Sequence, residues 1–324
     1  MNILSLFDGI SCAQIALNRI GVKIDNYFAS EVDKYAIQIT MKNYPNTIQL
    51  GRVENVFAKD LPNIDLIVGG FPCQSFSVAG RRENFSDKRG MLFYECVRLL
   101  KECNPKYFLF ENVVMKKLWQ DEISKYFGVE PIMINSALVS AQNRRRLYWT
   151  NIPNIEQPQD RHILLADVIE SGLVDRDKSH CIDANYFKGG SLNNYLEKSR
   201  RQIVLSQSEK RLCVLVERRT EKAKAERRNN YLQFGIDSCQ RQDKEWIPRI
   251  DNKTNALLTS DDSNYLIDNF VVRKLTPLEC ERLQTIPEGY TKDVSNTQRY
   301  KMIGNGFTVD VIAHILSYMD GKHG

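Results

Sequence analysis

The sequence predicts an α/β protein in which a parallel sheet carries helices on both faces and is joined to a smaller, loop-rich domain. Through residue 150, short apolar runs typical of strands alternate with segments of helical spacing, which indicates a parallel sheet. Beyond residue 150 the periodicity weakens, and polar and glycine residues separate short hydrophobic pieces. The predicted strands are 2–7, 27–31, 65–68, 107–111 and 129–135, and the predicted helices are 11–20, 33–43, 91–103 and 116–126.

This change of pattern predicts a first domain of residues 1–150, a second of 151–272, and a C-terminal segment of 273–324 that returns to the first domain. In the last segment Thr276 is a candidate N-cap, with Glu279 three residues later, and a final helix is expected at about 309–319. Residues 198–228 hold eleven Lys and Arg against four Glu. Either a solvated helical face over 216–230 or a phosphate-contacting surface explains this basic stretch.

Composition excludes several classes of protein. The 324 residues carry a net charge of +5, which permits nucleic-acid binding without requiring it. Eight scattered cysteines without a Cys-x-x-Cys pair indicate reduced thiols in a cytoplasm, and four separated histidines give no metal-ligand spacing. No apolar stretch reaches the roughly 18–20 residues that span a bilayer, and the N-terminus lacks signal-peptide features. We therefore expect a cytoplasmic protein without a membrane segment or a metal.

Cys73 lies in the loop Gly69-Gly-Phe-Pro-Cys-Gln-Ser-Phe-Ser77, directly after the buried run 65–68. Side chains at the carboxyl end of a central strand lie where open α/β sheets bind their ligands. A single cysteine is otherwise most often a small buried hydrophobe. Here Pro72 stiffens the loop and the two glycines let backbone approach a ligand. These neighbours favour a presented thiol.

The first strand runs into Phe7-Asp-Gly-Ile-Ser11 and then a helix, a place where nucleotide-like cofactors dock. The G-x-G-x-x-G pattern of pyrophosphate sites is missing. Glu31 ends the second strand, where an acid bonds ribose hydroxyls. The arrangement fits S-adenosylmethionine, with Asp8 near its amino-acid end and Phe7 beside the adenine or the sulfonium. A plain strand-to-helix turn also explains this loop.

Several short motifs occur in a fixed order, and together they resemble the DNA (cytosine-5) methyltransferase family, of bacterial and phage type, over almost the whole chain. The first half is also similar to the catalytic domain of the mammalian de novo DNA methyltransferases, especially around Phe110-Glu-Asn-Val113. The matching motifs are Phe7-Asp-Gly, Glu31, Gly70-Phe-Pro-Cys-Gln74, Arg89-Gly90, Glu111-Asn-Val113, Gln142-Asn-Arg-Arg-Arg146, Arg273-x-Leu-Thr-Pro with Glu279 and Arg282-Leu-Gln284, and Gly304-Asn-Gly306.

The resemblance implies a Rossmann-like sheet that binds S-adenosylmethionine and a catalytic role for four residues. The Cys73 thiolate would add to carbon 6 of cytosine, which makes carbon 5 nucleophilic. Glu111 would protonate ring nitrogen 3, and to do so it must itself carry a proton. Arg146 would contact the cytosine carbonyl, and Arg144 would orient Glu111 or a phosphate; a basic surface cluster is the alternative.

The same resemblance implies the cofactor-binding residues. Arg52 is a departure, because the family usually has an acid there that accepts a hydrogen bond from adenine, which an arginine cannot do. Weaker cofactor binding is a possible consequence, although the backbone of Val53 could still contribute. Gly306 stands where serine is common. The implied cofactor residues are Phe7, Asp8, Gly9, Ile10, Glu31, Val32, Val53, Pro72, Asn305 and Gly306.

The implied partner is double-stranded DNA, bound by a monomer that swings the cytosine out of the stack. Residues 151–272 would then read the DNA sequence, in a bacterial cell and from a host or a phage gene, for restriction-modification or phage DNA protection. Two alternatives remain at this point. A tRNA cytosine-5 methyltransferase would use the same motifs, and a catalytically silent DNA-binding regulator is favoured only by Arg52.

Overall fold

A computed structural model describes residues 1–72, 91–188, 195, 201–207, 213–219, 224–225, 228–229, 232–233, 244–248, 264–267 and 270–319. These residues divide into two compact units. The larger comprises 1–170, 174–203 and 274–324, and the smaller comprises 171–173 and 204–273. Within the described part of the chain, no helix has both the length and the apolar character needed to cross a membrane.

A seven-stranded sheet forms the centre of the larger unit, in the order β3-β2-β1-β4-β5-β7-β6. All neighbouring strands are parallel except β7, which runs antiparallel to both β5 and β6. The strands are β1 (Asn2–Leu6), β2 (Asn26–Ser30), β3 (Ile48–Gln49), β4 (Leu66–Gly69), β5 (Tyr107–Val113), β6 (Ile132–Asn135) and β7 (Arg145–Thr150).

Eight α-helices have described bounds in the larger unit, and capping residues explain where several of them begin or end. Asp33 caps α2 by accepting the Tyr35 amide, and Gly128 ends α4 in the left-handed conformation. Thr276 and Glu279 form the predicted capping box of α6. The helices are α1 (Cys12–Arg19), α2 (Lys34–Asn43), α3 (Met91–Cys103), α4 (Lys117–Phe127), α5 (Leu165–Val168), α6 (Pro277–Leu283), α7 (Asn296–Asn305) and α8 (Val309–Leu316).

The predicted parallel sheet contains one strand that runs antiparallel to its neighbours, β7, which was not among the predicted strands. The sequence signals in this strand are mixed, since Arg145 and Arg146 are charged while Leu147, Tyr148 and Trp149 are buried. Charged residues at its start hide the strand from an apolar-run criterion. The strand nevertheless pairs along Leu109–Thr150 through Val113–Arg146 because it fills the place between β5 and β6.

The smaller unit contains short strands, and those of the three-stranded sheet are antiparallel. One sheet has the order β10-β9-β11 and the other pairs β12 with β8. The interpretation of 216–230 as a helical face is wrong for 216–219, because β-branched Val214 and Val216 favour the strand β9. The strands are β8 (Ile203–Gln207), β9 (Cys213–Arg219), β10 (Lys244–Pro248), β11 (Asn264–Ile267) and β12 (Phe270–Lys274).

The compact units do not follow the predicted boundaries, because residues 151–170 and 174–203 belong to the larger unit. Lys178 explains part of this assignment. Its ammonium group donates to the carbonyls of Ala137, Ser140 and Ile163, so the segment is tied to the chain that leads into β7. A recognition role for 151–272 stays a prediction.

An aromatic core fixes the chain at the carboxyl end of β4. Phe71 is buried and packs its ring 5.2 Å from that of Phe93, and the Phe110 and Phe127 rings stack at 4.7 Å. Aromatic pairs of this kind add about 0.5–1.5 kcal/mol beyond the burial of their area. Phe71 therefore anchors the residues that precede Cys73.

Candidate active site

A cavity of about 370 Å³ lies at the carboxyl ends of β1, β2, β4 and β5, all within the larger unit. This is the edge at which open α/β sheets bind ligands. The structure brings together there most of the residues that the sequence predicts. The predicted residues that line the cavity are Phe7, Asp8, Gly9, Glu31, Pro72, Glu111, Arg144, Arg146, Asn305 and Gly306.

The loop after β1 has an unusual backbone. Phe7, Gly9 and Ser11 have φ angles of 55°, 60° and 57°, in the left-handed region that only glycine adopts without cost. Two non-glycine residues in this conformation cost roughly 1–3 kcal/mol each, and such strain clusters at ligand sites. The loop thereby turns sharply between β1 and α1 beside the cavity.

Glu31 closes this loop from the neighbouring strand. One of its carboxylate oxygens accepts the Gly9 amide at 2.7 Å, and the other accepts the amides of Val32 and Asp33 at 2.7 and 2.8 Å. A carboxylate offers about four acceptor positions, so the group keeps capacity for a hydroxyl. Glu31 is therefore fixed by backbone donors and can still accept from a diol.

Asp8 is buried more deeply than an open cofactor ligand would be. Its carboxyl oxygens accept hydrogen bonds from the hydroxyls of Tyr27, at 2.7 Å, and Ser11. Desolvation by burial raises the pKa of Asp8 to about 6, although these hydroxyls oppose the shift. Asp8 shapes the loop from inside and reaches the cavity at its edge.

Glu111 and Arg146 form an ion pair inside the cavity, with the Arg146 Nε atom 2.9 Å from Glu111 Oε1. The side chains are only 12% and 14% exposed, so both charges depend on each other for compensation. Burial lowers the pKa of Arg146, but the interactions with Glu111, Cys181 and Tyr148 together outweigh it, so the net pKa is raised. β5 and β7 position the pair, since Glu111 lies opposite Tyr148 and Val113 opposite Arg146.

Arg144 does not orient Glu111, as one reading of the sequence suggested; Arg146 makes that contact instead. The Arg144 side chain is buried and donates to the carbonyls of Ile182, Gly304 and Gly306 at 2.9–3.3 Å. Arg144 directly precedes β7, and its guanidinium group points to these three carbonyls. Two of them belong to Gly304 and Gly306, at the C-terminal end of α7. Its Nε atom has no partner among the described atoms.

Cys73 lies outside the described residues, as do Arg89 and Gly90, so only its approach is visible. Asn112 is buried and its amide donates to the Phe71 carbonyl at 3.2 Å, two residues before Cys73. A Cβ atom on Gly70 would lie 2.9 Å from the Phe307 ring and 3.4 Å from Glu111 Oε2. The chain therefore enters the Cys73 loop beside the Glu111 carboxylate.

Three predicted cofactor residues and Arg52 do not line the cavity. Ile10 is fully buried, Val32 is 65% exposed, and Val53 is buried in the core under β4. Arg52 pairs with Glu54 at 2.7 Å on the surface. Contacts from Ile10, Val32 and Val53 to a cofactor therefore stay predictions.

The structure adds cavity residues that sequence reasoning missed. Lys301 on α7 pairs with Asp33 at 2.7 Å, and both line the cavity. Burial raises the pKa of Asp33, but hydrogen bonds from Lys301 and the Tyr35 amide outweigh it, so the net pKa is lowered. The cap position of Asp33, two residues after Glu31, was a usable signal. No sequence signal indicated Lys301, because it is distant in sequence from Asp33 and Glu31. Among the described residues, no cluster of His, Cys, Asp or Glu could hold a metal ion.

The fold and the site together define a class of protein, the α/β methyltransferases that use S-adenosylmethionine. Solved structures support the fold. The methyltransferase EhMeth of Entamoeba histolytica has a TM-score of 0.64 at 15% identity and covers 98% of this chain and 97% of its own. A DNMT2 variant of Spodoptera frugiperda has a TM-score of 0.62 at 17% identity, with 98% of each chain covered.

The sequence comparisons narrow the class to a family. A family model described as C-5 cytosine-specific DNA methylase matches residues 1–320. The type II methyltransferase M1.ScrFI of Lactococcus lactis subsp. cremoris is 30% identical over 341 residues, covering 98% of this chain and 77% of that protein. The orphan methyltransferase M.Rho11sI of Bacillus phage rho11s is 47% identical over 161 residues, 46% of this chain and 32% of that protein.

The chain therefore belongs to the C-5 cytosine-specific DNA methylase family. It is a DNA (cytosine-5) methyltransferase with S-adenosylmethionine as its methyl donor. The expected family, fold class, activity and cofactor are confirmed.

Proposed function

We propose that this enzyme methylates a cytosine flipped from a specific sequence in double-stranded DNA, with Cys73 as nucleophile and Glu111 as proton donor. The observation that carries the proposal is the placement of Glu111, paired with Arg146, in the same cavity as Glu31 and the entry to the Cys73 loop. The nucleophile and the acid would then act on the same cytosine ring, next to the residues that bind the methyl donor. A duplex base cannot reach such a cavity without leaving the stack.

The cavity fits the methyl donor in size and in chemistry. Its volume of about 370 Å³ lies within the roughly 300–1,000 Å³ of small-molecule sites. Glu31 would accept from the ribose hydroxyls, and Phe7, Pro72, Asn305 and Gly306 would surround the remainder. When bound, S-adenosylmethionine supplies an electrophilic methyl group. The loop after β1 needs no phosphate cradle for this cofactor.

In the proposed mechanism the Cys73 thiolate bonds to carbon 6 of the cytosine, the carbon 5–carbon 6 π pair forms a carbon 4–carbon 5 double bond, and the carbon 4–nitrogen 3 π pair moves onto nitrogen 3. Glu111 pairs with Arg146 as a carboxylate, so in this mechanism it would first take up a proton and then donate it to nitrogen 3 as negative charge develops there. Arg146 lies within reach of the same carboxyl group and would turn its other guanidinium nitrogens to the ring carbonyl. Arg144 would hold the backbone of residues 304–306 instead of contacting the base. After carbon 5 has been methylated, its proton would pass to water, and the pair left on carbon 5 would restore the carbon 5–carbon 6 double bond and expel the Cys73 thiolate.

The remaining features of the proposal concern the setting of the reaction. Residues 151–272 would read the DNA sequence, with the basic stretch 198–228 contacting phosphates; part of that stretch lies outside the described residues. We infer action as a monomer in the cytoplasm of a bacterial cell. The names of the relatives, a type II and an orphan phage methyltransferase, support a role in restriction-modification or phage DNA protection.

Labelled S-adenosylmethionine with varied DNA duplexes tests the proposal, and bisulfite sequencing then locates the modified cytosine. Cys73→Ala should abolish labelling, and Glu111→Gln should lower the rate by about 10²–10⁴-fold, the range of general acid catalysis. Cys103→Ser is the control, because Cys103 is half-buried on α3 and does not line the cavity. Full activity of Cys73→Ala would reject the nucleophile. Labelling of tRNA instead of duplex DNA would reject the substrate.

A further inference from the structure

A buried amide outside the cavity holds residues 304–306, the C-terminal end of α7 and its cap residue, which include Asn305. Gln284 follows α6 and is fully buried. Its Nε2 atom donates to the carbonyls of Ile303 and Gly306 at 2.9 and 3.0 Å. Its Oε1 atom accepts from the Gln142 amide at 3.2 Å and the Thr308 hydroxyl at 2.8 Å. Both donors and both acceptor positions of this amide are therefore used.

The partners of Gln284 fix the orientation of its amide group. A Gln amide fits equally well after a half-turn unless its neighbours separate donor from acceptor. Ser136 donates to the Thr308 hydroxyl at 2.8 Å, so that hydroxyl directs its own proton to Gln284. The carbonyls on the opposite side can only accept. The network thus permits one orientation of the Gln284 amide.

Hydrogen bonds from Gln284 and Arg144 hold the backbone of residues 304–306. The Gly306 carbonyl accepts from both Gln284 and Arg144, each at 3.0 Å, which uses both of its lone pairs. Gly304 and Gly306 are buried, whereas Asn305 between them is exposed and lines the cavity. Gln284 itself does not line the cavity. Gln284 can therefore influence a bound ligand only through the backbone of residues 304–306.

We propose that Gln284 is a positioning residue for the methyl donor: it sets the backbone of residues 304–306 so that Asn305 and Gly306 meet the cofactor. This inference rests on the proposed cofactor site. Because Gln284 touches neither the cofactor nor the reacting base, its loss should weaken cofactor binding and leave the chemical step nearly unchanged. A residue that only stabilises the fold would lower stability without a selective effect on cofactor affinity.

Gln284→Met tests the proposal, because methionine has a similar length but no hydrogen-bonding amide. Titration calorimetry with S-adenosylhomocysteine should show a Kd raised at least about tenfold, as expected when buried carbonyls lose their donors. The KM for S-adenosylmethionine should rise in parallel. The kcat at saturating cofactor and the KM for DNA should stay within about twofold of wild type.

Gln202→Met is the matched control. Gln202 is 1% exposed and its amide donates to Tyr195 and Ile203, in a network without a cavity residue. It should lower the Tm while leaving the Kd for S-adenosylhomocysteine unchanged. Should Gln284→Met fail to fold, Thr308→Val removes only the hydroxyl that orients the amide and should raise the same Kd about threefold.

Two results would overturn the inference. A folded Gln284→Met, or Thr308→Val in its place, with wild-type Kd would show that the network serves stability alone. A fall in kcat without a change in Kd would place Gln284 in the chemical step instead. Failure of the wild-type protein itself to bind S-adenosylhomocysteine would reject the proposed cofactor site, and the inference with it.

Discussion

At the scale of single residues, Asp8 makes the stability of the protein depend on pH. Its pKa is about 6 in the folded protein against 3.8 ordinarily, so between these pH values the folded state binds the extra proton. Stability contributed by this group is therefore present below about pH 4 and is lost as the pH rises through 6. The difference corresponds to about 3 kcal/mol at most.

Asp8→Asn should remove this contribution, since the amide does not titrate. We expect the unfolding free energy of the variant, relative to wild type, to rise by a few kcal/mol between pH 4 and 7. Urea unfolding at several pH values measures it. The difference between the two proteins cancels carboxyl groups that titrate equally in both. A difference that does not vary with pH would contradict the burial argument.

The Glu111–Arg146 pair is a second residue-scale case, because neither charge has much solvent. Removing one partner leaves the other uncompensated, which costs up to about 3 kcal/mol in mostly buried pairs. Arg146→Met and Glu111→Gln should each be destabilising, and the double variant should be less destabilised than the sum by at least about 1 kcal/mol. Urea unfolding of the four proteins gives this coupling energy, and additivity would show that the pair contributes no net coupling.

At the scale of elements, α7 approaches the chain at 183–184 so closely that only glycine fits. A Cβ atom on Gly304 would lie 2.3 Å from the Asp183 carbonyl group and 2.6 Å from the Ala184 nitrogen. Backbone cannot yield as a flexible side chain does. Gly304→Ala should therefore cost about 1–3 kcal/mol by overpacking, although alanine normally favours a helix.

Gly21→Ala separates this steric effect from backbone conformation. Gly21 has a φ angle of 72° with open space around it, so alanine there should cost only about 1–2 kcal/mol of left-handed strain and leave cofactor affinity unchanged. Gly304→Ala should also weaken S-adenosylhomocysteine binding, because Asn305 follows directly. Thermal unfolding and calorimetry compare the two variants. Unchanged cofactor affinity in Gly304→Ala would show that the close contact of Gly304 with residues 183–184 does not help to position Asn305.

The elements also show how far local signals reach. Spacing and caps predicted α1 to α4 and the capping box of α6, because these signals are contained within a few neighbouring residues. They did not predict β7, whose first residues are arginines. Arg145 and Arg146 can occupy a strand because β5 and β6 supply its hydrogen bonds from either side. Such pairing is visible only in the sheet.

At the scale of the molecule, the chain closes on itself between its first and last helices. Asp310 on α8 is mostly buried and pairs with Arg19 on α1 and with Arg161, the latter at 2.6 Å. Arg19 also donates to the Thr285 carbonyl, and the Thr285 hydroxyl accepts from the Asp310 amide. One carboxylate thus joins segments that lie 291 residues apart.

Asp310→Asn should destabilise the folded protein by about 1–3 kcal/mol, because two arginines lose their counter-charge. Arg161→Met is the matched control. It removes one pair from a side chain that is half exposed, so its effect should stay below about 1 kcal/mol. Thermal unfolding of both variants measures the difference. Equal effects would show that the pair with Arg19 contributes little.

The sequence by itself determined the family, the chemistry and most of the cavity. Glu31 follows β2 directly and Glu111 lies near the carboxyl end of β5, and a parallel sheet gathers strand ends at one edge. Only the tertiary structure decided which arginine pairs with Glu111, how Gln284 binds the backbone of residues 304–306, and that Lys301 pairs with Asp33. These contacts join residues far apart in the chain. Their geometry depends on packing between elements, which local sequence patterns do not encode.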